Sequence, residues 1–182
     1  YIVAKFIDKL PIDKANSFYL YDINNNLYTS SHNKEWVSID NISPHLINAT
    51  ISIEDKNYYK HIGFDYLRIL KALFINIKNG KTLQGASTIT QQYAKNLFLD
   101  FDKNWSRKIE EAWLTIRLEA NYSKKQILEG YLNTINYGGV FGIQNASKYY
   151  FNKDAKDLDL AEATILAGIP KSHNNYSPIN NE

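Results

Sequence analysis

The sequence predicts a mainly α domain preceded by a short β appendage, and three observations carry that expectation. From Pro44 onward the apolar residues recur at helical spacing. Two later segments open with paired capping residues, Ser123 with Gln126 and Asp159 with Glu162. Only residues 18 to 39 alternate as strands do.

In chain order, Phe18-Tyr19-Leu20-Tyr21 and Leu27-Tyr28-Thr29 flank the turn-prone run Asp22 to Asn26, which fits a hairpin, and Trp36-Val37-Ser38-Ile39 fits a further strand. Glu54, Tyr58 and His61 are spaced i, i+4, i+7. On a continuing helical turn that spacing puts a carboxylate, a ring and an imidazole on one face. Over 65–79, Leu67, Leu70, Phe74 and Ile77 form an apolar stripe beside Arg68, Lys71 and Lys78. This is either a core helix with a solvated basic edge or a helix lying at a membrane surface.

Gly85-Ala86-Ser87 then leads into Thr88, Gln91, Gln92 and Lys95, a polar stripe opposite Ile89, Tyr93 and Leu97. The pattern predicts a helix start whose N–H and hydroxyl groups face an oxyanion or a sugar. Asn104 or Ser106 caps a helix that turns Ile109, Ala112, Trp113 and Ile116 inward and carries Arg107 and Lys108 in its first turn. Cations there oppose the helix dipole at a cost of about 0.3–1 kcal/mol each. A bound phosphate accounts for them, and a surface ion pair is the alternative. The helix after Ser123 buries Ile127, Leu128, Tyr131, Leu132 and Ile135 and stops at Gly138-Gly139, and the helix after Asp159 ends with Gly168 and Pro170.

Composition narrows the chemistry. The 182 residues, 44% hydrophobic and 14% aromatic, suffice for one domain with a sizeable core. A net charge of +2 without a long Lys/Arg run excludes an extended nucleic-acid-binding face. The absence of cysteine excludes disulfides, thiol catalysis and Cys-ligated metal. The absence of methionine leads us to expect a processed product or an excised part of a longer protein, and Tyr1-Ile2-Val3-Ala4 is compatible with the trailing edge of a membrane helix upstream.

Histidines 32, 45, 61 and 173 lack zinc-ligand spacing, no Walker motif occurs, and Ser31-His32-Asn33-Lys34 matches SxxK without its partner motifs. What remains is an acid/base carboxylate at Glu54, a second carboxylate segment at Glu110-Glu111, and Lys, Arg and amide donors between them. That set suits the deprotonation of a sugar hydroxyl while a phosphate departs.

Taken with Lys125-Gln126-Ile127-Leu128-Glu129-Gly130-Tyr131-Leu132-Asn133 and Leu160-Ala161-Glu162-Ala163-Thr164-Ile165-Leu166-Ala167-Gly168, these segments resemble, over residues 44 to 178, the peptidoglycan glycosyltransferases (glycosyltransferase family 51). These are the glycan-polymerising domains of class A penicillin-binding proteins and of monofunctional transglycosylases. The resemblance implies a lysozyme-like glycosyltransferase domain over 44–182, truncated at its C-terminus, behind a linker of residues 1–43 that follows an N-terminal transmembrane anchor. It implies work on the extracytoplasmic face of the cell membrane, polymerising lipid II by inverting transfer with release of undecaprenyl pyrophosphate. The implied partners are lipid II, the growing glycan strand, the outer leaflet and other cell wall synthesis proteins, without nucleic acid.

Matched residue by residue, Glu54 resembles the general base and Glu111 the second glutamate, which supports the donor side. Lys95, Arg107 and Lys108 match holders of the donor pyrophosphate, and Asp55, Tyr58, His61, Ser87, Thr88, Gln91 and Gln92 match the substrate cleft. The resemblance implies no obligatory cofactor and names Glu111 as the candidate ligand for Mg2+ or Mn2+. Tyr58 stands for the usual Phe, Ala86 for Gly, Lys71 for Arg and Gln144 for Glu, and the Gly138-Gly139 loop is one residue short. Two other readings compete: a lysozyme-like hydrolase, which has no use for a pyrophosphate-binding cluster, and a noncatalytic lipid II-binding module, against which the presence of both glutamates argues.

Overall fold

The structure, a computed structural model, describes residues 2–5, 9–12, 19–21, 27–30, 35–80, 85–98 and 105–171. It is mainly helical, as expected, with two small antiparallel hairpins. The first turn α1 (Ile2–Lys5) is followed by β1 (Tyr19–Tyr21) and β2 (Leu27–Ser30), which pair antiparallel with a register irregularity after Leu20. The turn run Asp22 to Asn26 and the Ser31 to Lys34 motif lie outside the described residues, as do His173 and the Tyr176-Ser177-Pro178 stretch.

The strand expected at Trp36 to Ile39 is not formed. Its backbone is taken up by side chains of a later helix instead. Val37 exchanges two 2.9 Å hydrogen bonds with the Asn133 amide, and Glu129 accepts from the Trp36 indole at 3.1 Å and from the Ile39 N–H at 2.9 Å. With those donors and acceptors satisfied, no strand partner is required.

Next come α2 (Pro44–Glu54), α3 (Tyr66–Asn79), α4 (Ile89–Phe98), α5 (Trp105–Asn121) and α6 (Lys124–Thr134). The hairpin of β3 (Asn136–Tyr137) and β4 (Val140–Phe141) leads to α7 (Ile143–Phe151) and α8 (Leu160–Gly168). Both capping boxes form as the sequence predicts. Gly138-Gly139 is not a helix stop: both residues have positive φ, 71° and 101°, and they make the two-residue turn of the β3–β4 hairpin.

The core joins α2 to α8 and α4 to both α5 and α6. Leu46, Ile89, Tyr93, Leu118, Ile127, Leu128, Tyr131, Leu132, Ile143 and Leu166 are fully buried in it. The closest approach is at Gly130 of α6, where an added Cβ would lie 2.1 Å from the Tyr93 hydroxyl of α4. Only a glycine lets these two helices meet, and their contact brings α6 side chains up to the polar residues of α4.

α3 stands apart from this core. Of its residues only Ala72 is buried, while Leu67, Leu70, Leu73, Phe74 and Ile77 are all more than half exposed. The core-helix alternative for 65–79 is thereby excluded. Among the described residues no helix is long and apolar enough to cross a membrane.

Candidate active site

α2 ends at Glu54, and the residue after it anchors the turn. The fully buried Asp55 accepts from the Ile89 N–H at 3.1 Å and from His61 Nε2 at 3.0 and 3.1 Å, so one carboxylate ties the end of α2 to the following loop and to the start of α4. Asp65 caps α3 by accepting from the Arg68 N–H at 3.0 Å and takes a second bond from Asn57 Nδ2 at 2.8 Å. The Asn57 and then the Arg68 hydrogen bond hold its carboxyl below the usual carboxylate range. The Arg68 guanidinium donates back to the Glu54 carbonyl, which draws α3 against the end of α2.

Two adjacent glutamines on α4 serve the two glutamates. Consecutive helical residues point about 100° apart. Gln92 Nε2 therefore reaches Glu54 Oε2 at 2.7 Å while Gln91 Nε2 reaches Glu111 Oε1 at 3.1 Å. Lys108 donates to the same Glu111 oxygen. The Gln91 carbonyl is held by the Thr88 N–H at 3.2 Å, and the Thr88 hydroxyl accepts from the Gln91 N–H at 3.2 Å, a reciprocal cap. The Gln92 carbonyl accepts from the Tyr131 hydroxyl at 3.2 Å.

Glu54 is 9% exposed, and its Oε1 has no hydrogen-bond partner among the described residues. It lines a cleft of about 710 Å³ together with Ser87, Gln92, Asn57, Asp65, Lys56, Arg68, Lys71 and Lys171. A buried carboxylate with one oxygen anchored and the other without a partner suits a general base, and the cations that line the same cleft suit an anionic substrate.

Several expectations are corrected. Glu54, Tyr58 and His61 do not share a helix face, because α2 stops at Glu54, Tyr58 begins a 3-10 turn and His61 turns to Asp55. Tyr58 is fully buried, donating to the Lys124 carbonyl at 2.8 Å with the Lys124 ammonium 4.5 Å above its ring. Thr88 is also fully buried and donates to the Gly63 carbonyl at 2.6 Å. Asp55, Tyr58 and Thr88 are therefore buried and bonded to protein groups, and none of them is among the residues that line the cleft. The start of α4 is not free for an oxyanion, since Asp55 and Thr88 take the N–H groups of Ile89 and Gln91.

In α5 the inward face is Glu111, Thr115 and Leu118. Ile109 and Trp113, expected inside, are 72% and 40% exposed. Helix α5 has turned its buried carboxylate toward Gln91, which leaves the Ile109–Trp113 side outside. The ion pair is Lys108–Glu111, not Arg107–Glu111. Asn104 lies outside the described residues. Helix α4, which carries Lys95, packs on α5, which carries Arg107, Lys108 and Glu111; of these Lys108 meets Glu111, and none of the four lines the Glu54 cleft. Gln144 braces the fold, donating to Asp154 at 2.6 Å and accepting from the Ala155 N–H at 2.9 Å.

Sequence reasoning did not place Lys56, Asn57 or Lys171 in the site, treated Arg68 and Lys71 only as a helix edge, and treated Tyr131 only as scaffold. The Asp65–Arg68 spacing is a readable N-cap signal; Lys171 follows a helix end with no pattern to mark it.

As a metal ligand Glu111 fits poorly. Among the described residues no group of three or more His, Asp or Glu side chains could hold an ion, and the Glu111 oxygen at issue already takes Lys108 and Gln91. No step is routed through a metal.

The transglycosylase family profile matches residues 22–182. Penicillin-binding protein 2D of Bacillus subtilis is 57% identical over 148 residues, covering 81% of this chain and 21% of that protein. Penicillin-binding protein 1A of Aquifex aeolicus is 43% identical over 162 residues, 87% of this chain and 22% of that protein. Biosynthetic peptidoglycan transglycosylase of Haemophilus influenzae is 50% identical over 135 residues, 74% of this chain and 55% of that protein. The chain thus spans about a fifth of the penicillin-binding proteins it matches and just over half of the transglycosylase. On the extent of this match, together with the two glutamates and the paired glutamines that hold them, the chain belongs to the transglycosylase family, the peptidoglycan glycosyltransferases.

Proposed function

We propose that this chain polymerises lipid II into glycan strands by inverting transfer during bacterial cell wall synthesis, with Glu54 as general base. The observation that carries the reading is the Glu54 carboxylate, a buried residue in the wall of a large cleft lined by lysine and arginine: Oε2 is held by Gln92, and Oε1 is buried without a hydrogen-bond partner among the described residues. The Glu54 carboxylate takes the proton of the acceptor's GlcNAc 4-hydroxyl as the hydroxyl oxygen bonds to the donor's anomeric carbon. The bond from that carbon to the pyrophosphate oxygen breaks on the opposite face, and undecaprenyl pyrophosphate leaves with the electron pair.

Negative charge grows on the leaving group, so cations placed beside it lower the barrier. Lys95, Arg107 and Lys108 are assigned that role. Lys95 and Arg107 have no partner among the described residues, and Lys108 is shared with Glu111. Glu111, held by Gln91, supports the donor side. His61 braces Asp55, and Ser87 contributes a hydroxyl to the cleft wall. Mg2+ or Mn2+ is not part of this account.

Residues 44–182 form the glycosyltransferase body in this reading, and 1–43 lead into it from a membrane anchor. The site then faces the outer leaflet, and the exposed α3 stripe of Leu67, Leu70, Leu73, Phe74 and Ile77 supports contact with lipid. Incubation with lipid II is the test. Glycan strands and undecaprenyl pyrophosphate are the expected products, whereas muropeptides released from purified peptidoglycan without strand synthesis would make the chain a hydrolase.

A further inference from the structure

We propose that Tyr131 is a positioning residue for the general base, acting through the Gln92 amide to fix the orientation of the Glu54 carboxylate. The inference rests on the function proposed above and assigns a role to a residue that packing alone would class as core. Tyr131 sits on α6, fully buried, and reaches α4 where the two helices meet closely at Gly130. Its hydroxyl donates to Gln92 Oε1 at 3.2 Å, and Gln92 Nε2 donates to Glu54 Oε2 at 2.7 Å.

The orientation follows from the chemistry of the groups. An amide flipped the other way would set its carbonyl oxygen against a carboxylate oxygen, two acceptors with no proton between them. The carboxylate thus sets the amide's orientation, and the protonated phenol, donating to the carbonyl that faces it, holds the amide there. Burial first, and the nearby Glu54 charge second, push the Tyr131 hydroxyl well above its ordinary pKa, so it remains a donor wherever the enzyme works. The result is a three-residue chain that anchors Glu54 at Oε2, while its Oε1 is buried without a hydrogen-bond partner among the described residues.

Without the phenol oxygen, Gln92 loses the contact that fixes its amide, and the Glu54 carboxylate loses its anchor on one side. Small displacements of a reacting group from attack geometry cost up to roughly a hundredfold in rate. Tyr131→Phe should therefore lower kcat by roughly ten- to a hundredfold while KM for lipid II stays within about twofold, because Tyr131 touches no substrate. The other charged groups facing Glu54 are Asp55, Lys56 and Asp65 from the α2–α3 connection, Arg68 and Lys71 from α3, and Lys171 after α8, and all of them remain in the variant.

The deciding experiment is a double-mutant cycle on lipid II polymerisation with wild type, Tyr131→Phe, Gln92→Ala and the double variant, each checked for a cooperative thermal transition. If Tyr131 acts through Gln92, Tyr131→Phe costs little further rate once Gln92 is alanine. An equal rate loss in both backgrounds, or an unchanged kcat in Tyr131→Phe, overturns the inference and leaves the proposed function standing. A wild-type chain that makes no glycan overturns that function and this inference with it.

Discussion

Aspartate in place of Phe74 should detach the protein from lipid vesicles and leave it folded. Phe74 is 68% exposed on a helix whose buried face consists of Ala72 alone. Fully burying a large apolar side chain is worth about 1.5–3 kcal/mol, so transferring the exposed two-thirds of this ring into a lipid surface contributes about 1–2 kcal/mol. Aspartate removes that gain and adds a charge of the sign that anionic lipid repels. The expected loss in vesicle partitioning is at least about tenfold, since 1.4 kcal/mol is one decade. Stability should move by no more than about 0.5 kcal/mol, as for surface substitutions generally. Co-sedimentation with phospholipid vesicles gives the first number and thermal unfolding the second. Unchanged binding by a folded Phe74→Asp variant would show that this stripe does not face lipid, and a collapse of Tm would show that the ring is packed after all.

Other consequences can be checked together. Gly130→Ala should destabilise by about 1–3 kcal/mol or more, measured by urea unfolding, because the new Cβ would fall 2.1 Å from the Tyr93 hydroxyl. Asp65 has a lowered pKa in the folded state, so its contribution is present above the usual carboxylate range and is lost as pH falls through the folded value. Stability measured between pH 5 and pH 2 (about the window set by ordinary carboxylates) should accordingly fall less steeply in Asp65→Asn than in wild type. Arg107→Lys should lower single-turnover rate with lipid II more than it lowers affinity, because a point charge replaces a bidentate donor at a leaving group. An unchanged rate in Arg107→Lys and in Lys95→Ala would return both residues to the surface.

Much of this was legible because the signals are local. The two capping boxes, the buried face of α6 and the polar stripe on α4 all follow from spacing within one helix, and the structure has each of them. The Gln91-Gln92 pair was readable as polar, but not as two separate holders of two glutamates, because that depends on where α2 and α5 cross α4. The α5 face was misread for a related reason. Hydrophobicity points Ile109 and Trp113 inward, yet a buried carboxylate with an amide partner outweighs them, and sequence gives no sign of the partner. Likewise, Val37 and Ile39 look like a strand until Asn133 and Glu129, 96 and 90 residues away, take their backbone groups. Tyr131 looked like core because it is core; its hydroxyl gives it a second task.

The central claim is that Glu54 takes the acceptor proton, and it is tested most directly by the single-turnover rate of lipid II polymerisation for wild type and Glu54→Gln. Glutamine keeps the shape and can still bond Gln92, but it cannot accept that proton. The account predicts a folded variant with an unchanged thermal transition and a rate lowered by at least roughly 10²–10⁴-fold. A folded Glu54→Gln protein that polymerises lipid II at close to the wild-type rate would contradict it.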